Sequence, residues 1–152
     1  MADFILAIDQ GTTGSTVALV DAQGQLCASV NVEFPQHFPQ PGWVEHDPDD
    51  IWTSVQKALG RLLRRKICKV TDIAAIGITN QRETTVLWDR RTGEALHNAI
   101  VWQCRRTADF TDALREAGQE RMVRKRAGLV LDPYFSASKF RWLLQHVPAA
   151  RR

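Results

Sequence analysis

The run Asp9-Gln-Gly-Thr-Thr-Gly-Ser15 holds the residues whose types and spacing could do chemistry. It lies between two apolar segments that read as strands, so it is a strand-turn-strand element and not the strand-loop-helix of a P-loop. In a tight turn, Gly11 and Gly14 let backbone N–H groups face one point, and the Thr12 and Thr13 hydroxyls add donors there. Such a concavity suits phosphate oxygens. Asp9, at the end of the first strand, offers the hard oxygen that Mg²⁺ prefers, reached through water. Taken alone, the same composition also serves an ordinary polar hairpin, and a further signal has to separate the two.

The elements that must position this turn are legible around it. Phe4 to Ile8 reads as a strand buried on both faces, Thr16 to Val20 as a second strand and Leu26 to Phe34 as a third. Asp21-Ala-Gln-Gly24 supplies the turn between the latter two, so the chain opens with an antiparallel meander. Residues 35–48 hold four of the six prolines together with Gly42 and Trp43, which predicts an ordered loop. Asp47 then reads as a helix N-cap with Pro48 at the first helical position. Ile51, Val55, Ala58, Leu59, Leu62 and Leu63 recur at helical spacing, which predicts an amphipathic helix lying on the sheet.

Ile73 to Thr79 reads as a strand buried on both faces and joined to the sheet by a crossover, with residues 80–83 at its C-terminal end. Short strands are expected at 84–88 and 99–102, flanking the turn Asp89 to Gly93. From Arg105 on the pattern is helical: one helix to about Ala117 stopped by Gly118, one from Gln119 to Ala127 stopped by Gly128, and one from about Ser136 to His146 closed by Pro148.

Composition narrows the classes. With 44% apolar residues the chain can bury a core, and 152 residues suit one domain. The apolar run Phe4–Ile8 is too short to span a membrane and lacks a basic leader, so a cytoplasmic protein without membrane association is expected. Cys27, Cys68 and Cys104 are odd in number and widely spaced, which fits reduced thiols and neither a zinc pattern nor a disulfide framework. The net charge of +3 gathers after residue 105, yet Arg105, Arg106, Arg115, Arg121 and Arg124 fall in helical patterns without interleaved aromatics. They read as a solvated face, and nucleic acid is not an expected partner.

Strand, Asp-x-Gly-Thr-Thr, strand resembles the first phosphate motif of the actin, Hsp70 and sugar-kinase superfamily. Four further runs, residues 41–48 (PGWVEHDP), 76–85 (IGITNQRETT), 98–107 (NAIVWQCRRT) and 128–136 (GLVLDPYFS), resemble the FGGY carbohydrate kinases, in their glycerol-phosphorylating branch. The resemblance covers Phe4 to about Val147. It implies an α/β fold of ribonuclease H-like (actin-like ATPase) type, a mixed sheet flanked by helices. Residues 1–152 are then expected to be the N-terminal portion of the first of two domains, an incomplete first domain that is inactive by itself and liable to form a homo-oligomer.

The same resemblance implies ATP and Mg²⁺ as cofactors and glycerol as the acceptor, with ATP-dependent phosphorylation to sn-glycerol 3-phosphate. It implies phosphate binding by Gly11, Thr12, Thr13 and Gly14, metal binding and a catalytic role for Asp9, and polyol binding by Arg82, Glu83, Trp102 and Tyr134, with Arg82 also catalytic. A guanidinium fork and a carboxylate are a sensible pair for hydroxyls, and aromatic rings make an apolar wall. Without the resemblance, Arg82–Glu83 reads as a surface ion pair and the two aromatics as core residues. Thr16 departs from the family pattern, which often has there an arginine that reaches nucleotide phosphates. The family's general base and adenosine site lie further along than residue 152. Two alternatives stay open: a related sugar or polyol kinase, and a truncated, non-catalytic binding module.

Overall fold

A computed structural model describes the chain from Phe4 to Arg151. The chain divides into two compact units, one built from residues through Pro35 with Asp49–Gln81, the other from Gln36–Pro48 with the residues from Arg82 on.

In the first unit, β1 (Phe4–Gln10), β2 (Gly14–Asp21) and β3 (Leu26–Glu33) form the expected antiparallel meander. The strands run further into the phosphate-like turn than periodicity predicts, because Gln10 pairs with Ser15 across β1 and β2 and Gly14 pairs with Glu33 across β2 and β3. Only Gly11–Thr13 remains outside the ladder. Helix α1 (Pro48–Leu63) begins at the proline, and Asp49 and Asp50 in its first turn face the positive end of the helix dipole. It lays Ala58 and Leu62 on Leu6, Val17, Leu19, Ala28 and Val30. Each large aliphatic side chain buried there contributes about 1.5–3 kcal/mol.

Residues 45–46, read as loop, form a strand β4 (Glu45–His46). β5 (Ile73–Thr79) joins the sheet parallel to β1, giving the order β3-β2-β1-β5. The expectation that β5 is buried on both faces fails. Its register sets Ile76 beside Leu6 and Ile78 beside Ile8, on the face that α1 covers over β1 to β3. The helix does not reach the edge strand, and Ile76 and Ile78 stay 59% and 74% exposed. Likewise Ile5 on β1 is exposed, so that strand too has one open face.

In the second unit, β4 pairs antiparallel with β6 (Ala99–Ile100). The stretch 84–88, expected as a strand, makes only isolated bridges, Thr85 to Ile100 and Trp88 to Ala95. Asp89 competes for its backbone: the carboxylate accepts the Arg91 and Thr92 N–H groups at 2.7 and 3.1 Å and turns the chain early. Helices α2 (Ala108–Glu116), α3 (Glu120–Ala127) and α4 (Ser136–His146) follow, and Gly128 ends α3 in the left-handed conformation at φ 71°. Ile100, Cys104, Leu143 and Val147 form the core, with Trp43, Val44 and Trp142 packed on it.

Arg121, Arg124, Lys125 and Arg126 are exposed, as a solvated basic face requires. Arg106 is not part of such a face. Its side chain is fully buried, 2.6 Å from Glu45 and between the rings of Trp43 and Trp142. No described helix is long and apolar enough to cross a membrane.

Candidate functional site

In the first unit the Gly11–Thr13 turn is closed by the Gly11 N–H, which donates to the Gly14 carbonyl at 2.9 Å. The Gly11 carbonyl accepts from the side-chain amides of Gln10 at 2.7 Å and Gln81 at 3.2 Å, so β1 and the end of β5 both tie the turn down. The glycines are needed here for close approach, not for positive φ. A Cβ on Gly14 would lie 2.9 Å from the Val32 carbonyl oxygen, and one on Gly11 would lie 3.1 Å from the Gly14 oxygen.

Thr13 is exposed, and its hydroxyl meets no partner among the described residues. Asp9 is exposed as well, near the end of β1, and its carboxylate takes no hydrogen bond or ion pair from the described residues. The Thr16 hydroxyl accepts from the Asn31 side chain at 2.9 Å, a cross-strand bond that occupies it within the sheet. The arrangement can receive an oxyanion at Thr13 and a hard cation at Asp9. No group of three or more metal-ligating side chains occurs among the described residues.

In the second unit Glu83 has φ 66°, a left-handed conformation that costs a non-glycine residue about 1 kcal/mol or more and is kept only where the surroundings hold it. The hold comes from the start of α4. Ser136 donates to Glu83 Oε2 with its Oγ at 2.6 Å and its N–H at 2.8 Å. The Ser136 hydroxyl bond is the main reason the Glu83 carboxyl lies below the usual carboxylate range; burial works against it, while the Ser136 N–H, Lys139 and Arg82 reinforce it. Glu83 Oε1 accepts nothing from the described residues, and the exposed Arg82 guanidinium, though its charge acts on Glu83, makes no hydrogen bond or close ion pair among them. Two residues before Ser136, the Tyr134 ring meets Trp102 edge-on, centroids 5.7 Å apart, and both rings are half-buried. Trp102 is tied back through its N–H to the Thr84 hydroxyl at 3.3 Å. A carboxylate fixed on one oxygen and open on the other, with two aromatic rings in edge contact, suits a small neutral molecule that carries hydroxyls on a carbon chain.

Residues 4–152 match the family model described as the FGGY family of carbohydrate kinases, N-terminal domain. The chain belongs to that family. Among its relatives, the glycerol kinase of Alkalilimnicola ehrlichii is 57% identical over 148 residues, 97% of this chain and 30% of that protein. The glycerol kinase of Bdellovibrio bacteriovorus is 53% identical over 152 residues, 100% of this chain and 31% of that protein. Of solved structures, Plasmodium falciparum glycerol kinase with ADP superposes with TM-score 0.90 at 37% identity, over 97% of this chain and 30% of that one. Lactobacillus acidophilus gluconate kinase superposes with TM-score 0.87 at 25% identity, over 97% and 29%. The chain thus spans about 30% of the length of these relatives.

The fold of this FGGY chain is the actin-like one expected from its sequence. Of the residues singled out there, Asp9, Gly11, Thr12, Thr13 and Gly14 fall together in the first unit, and Arg82, Glu83, Trp102 and Tyr134 in the second. Two residues of the second group went unnoticed, Ser136 and Lys139. The sequence carries a partial signal for one: Ser136 closes the 128–136 run and is the first residue of a helix. Lys139 carries no such signal, and it is fully buried.

Proposed function

We propose that this chain is the N-terminal portion of the first domain of an FGGY kinase that transfers the γ-phosphoryl group of ATP to a terminal hydroxyl of glycerol, in the cytoplasm. The hydroxyl oxygen forms the new P–O bond, the bond to the ADP oxygen breaks, and the hydroxyl proton passes to a base that the family resemblance puts beyond residue 152. Arg82 and Glu83 would hold the polyol hydroxyls, the guanidinium donating and the carboxylate accepting. Trp102 and Tyr134 would wall the carbon chain. In the turn, Thr12, Thr13 and the adjoining Gly11 and Gly14 backbone would meet phosphate oxygens, and Asp9 would hold Mg²⁺ through water. The metal would neutralise charge on the transferring phosphates.

The observation that carries the reading is the Glu83 carboxylate. It is pinned on one oxygen by Ser136 and open on the other, and its neighbours lead to the Trp102–Tyr134 edge contact: Thr84 accepts from the Trp102 N–H and Ser136 follows Tyr134 by two residues, in a chain more than half identical to proteins named glycerol kinase. Self-association belongs to the same reading, supported by the exposed Ile76 and Ile78; sedimentation across a concentration series tests it. The main test is steady-state kinetics on the whole protein across a panel of polyols and sugars. Glycerol should be the preferred acceptor, and Arg82→Ala or Glu83→Ala should lower its kcat/KM by about tenfold or more, since each removes hydrogen bonds to a charged group. Unchanged glycerol kinetics in both variants would sink the assignment.

A further inference from the structure

Helix α4 meets the proposed polyol pocket through its first turn, and two side chains there do work that helix packing does not require. Ser136 gives both its N–H and its hydroxyl to the same Glu83 oxygen, at 2.8 and 2.6 Å. One turn on, Lys139 is 0% exposed and donates Nζ to the carbonyls of Pro133 at 2.7 Å, Tyr134, and Phe135 at 3.4 Å. No carboxylate lies within ion-pair distance of that ammonium among the described residues.

A buried ammonium is costly, and an apolar side chain of equal length would fill the same space more cheaply. What only the ammonium can do is gather three consecutive carbonyls, because it has three donors and no acceptor. Those carbonyls belong to the segment that aims the Tyr134 ring at Trp102, with the Phe135 ring packed on Tyr134 at 5.1 Å between centroids. Residues 136 and 139 stand three apart on one face of α4, so one helix end sets both a carboxylate and an aromatic wall.

We propose that Ser136 and Lys139 are positioning residues for the polyol pocket, Ser136 fixing the Glu83 carboxylate and Lys139 fixing the 133–135 backbone that carries Tyr134. The inference deepens the function proposed above and rests on it for the identity of the substrate. Neither side chain touches substrate; each acts through a residue that does.

The test uses the whole protein. Ser136→Ala keeps the N–H and removes the hydroxyl bond. It should raise glycerol KM about tenfold while leaving ATP KM within about twofold, and Ser136→Thr should restore it. The acid limb of kcat/KM should move to higher pH in Ser136→Ala, because the bond that chiefly holds the Glu83 carboxyl down is gone. Lys139→Met should raise the same KM; if that variant does not fold, Lys139→Gln, which keeps one donor group, is measured instead. Unchanged glycerol KM and acid limb in Ser136→Ala overturn the role of Ser136, and unchanged KM in whichever Lys139 variant folds overturns that of Lys139. A substrate-independent readout separates this inference from the proposed function: the Glu83 carboxyl, followed by ¹³C NMR, should titrate at higher pH in Ser136→Ala than in wild type. If wild type ignores glycerol but this shift appears, the substrate is wrong and the positioning stands; if wild type uses glycerol and the shift is absent, the positioning falls alone.

Discussion

Replacing Arg106 by Met removes one charge from a buried pair and leaves the other behind. The Arg106 side chain is 0% exposed and the Glu45 side chain 7%, with Nη2 and Oε1 2.6 Å apart. The guanidinium carbon also sits 3.9 Å from the centroid of the Trp43 ring and 4.6 Å from that of Trp142. Breaking a buried pair from one side costs about 3–5 kcal/mol. Two features move the expectation to the lower end: Asn98 still donates to Glu45 at 3.1 Å, and His97 stands 3.9 Å away. A methionine also recovers part of the contact with the two rings. The expected loss is therefore about 3 kcal/mol.

Arg106 Nη1 is itself buried without a hydrogen-bond partner among the described residues. The pair thus carries an orphan donor, and removing both charges should cost less than the two single losses added together. The assay is urea unfolding followed by tryptophan fluorescence, since Trp43 and Trp142 report directly on the guanidinium between them. Arg106→Met, Glu45→Met and the double variant make a cycle whose coupling should reach about 2 kcal/mol. A loss below about 1 kcal/mol in Arg106→Met, or a strictly additive double variant, would refute the account of a buried, mutually dependent pair.

Acid should loosen the second unit through His46, whose pKa is lowered from 6.5 to about 4 by burial and, secondarily, by His37. The unfolded chain then binds the extra proton between those values, so stability falls as pH drops from about 6.5 toward about 4, by about 3 kcal/mol in all. His46→Gln should flatten that slope in pH-dependent unfolding, and an unchanged slope would remove His46 as the cause. Gly14→Ala should destabilise by about 1–3 kcal/mol, since its Cβ meets the backbone of Val32 and Glu33 at 2.9 and 3.1 Å, while Gly77→Ala, with nothing within 4 Å, should be neutral or slightly stabilising. Thermal denaturation of the two variants checks the contrast. Asp9→Asn should lower kcat of the whole protein far more than it changes glycerol KM, because the lost charge would act on the metal; near-normal turnover at saturating Mg²⁺ would count against that role.

Local rules made much of this chain readable from its sequence. The meander follows from short apolar runs split by Gly and Asp, α1 from a Pro48 start and apolar spacing, and the end of α3 from a glycine able to take positive φ. The turn at 9–15 stood out because its residue types and order depend on neighbours in the chain, and the runs of the second unit pointed, through the family resemblance, to the residues proposed to meet a polyol. Three things depended on distant parts meeting. Whether β5 is covered was decided by the reach of α1 across the sheet, which apolar composition alone cannot state. Arg106 and Lys139 look like solvated cations in any helical pattern, and only the rings and carbonyls assembled around them explain why they are buried. Glu83 owes its left-handed backbone and its lowered pKa to Ser136, 53 residues away. A hydrogen bond between partners so far apart leaves no period or spacing in the sequence, because chain folding, and not chain order, brings them together.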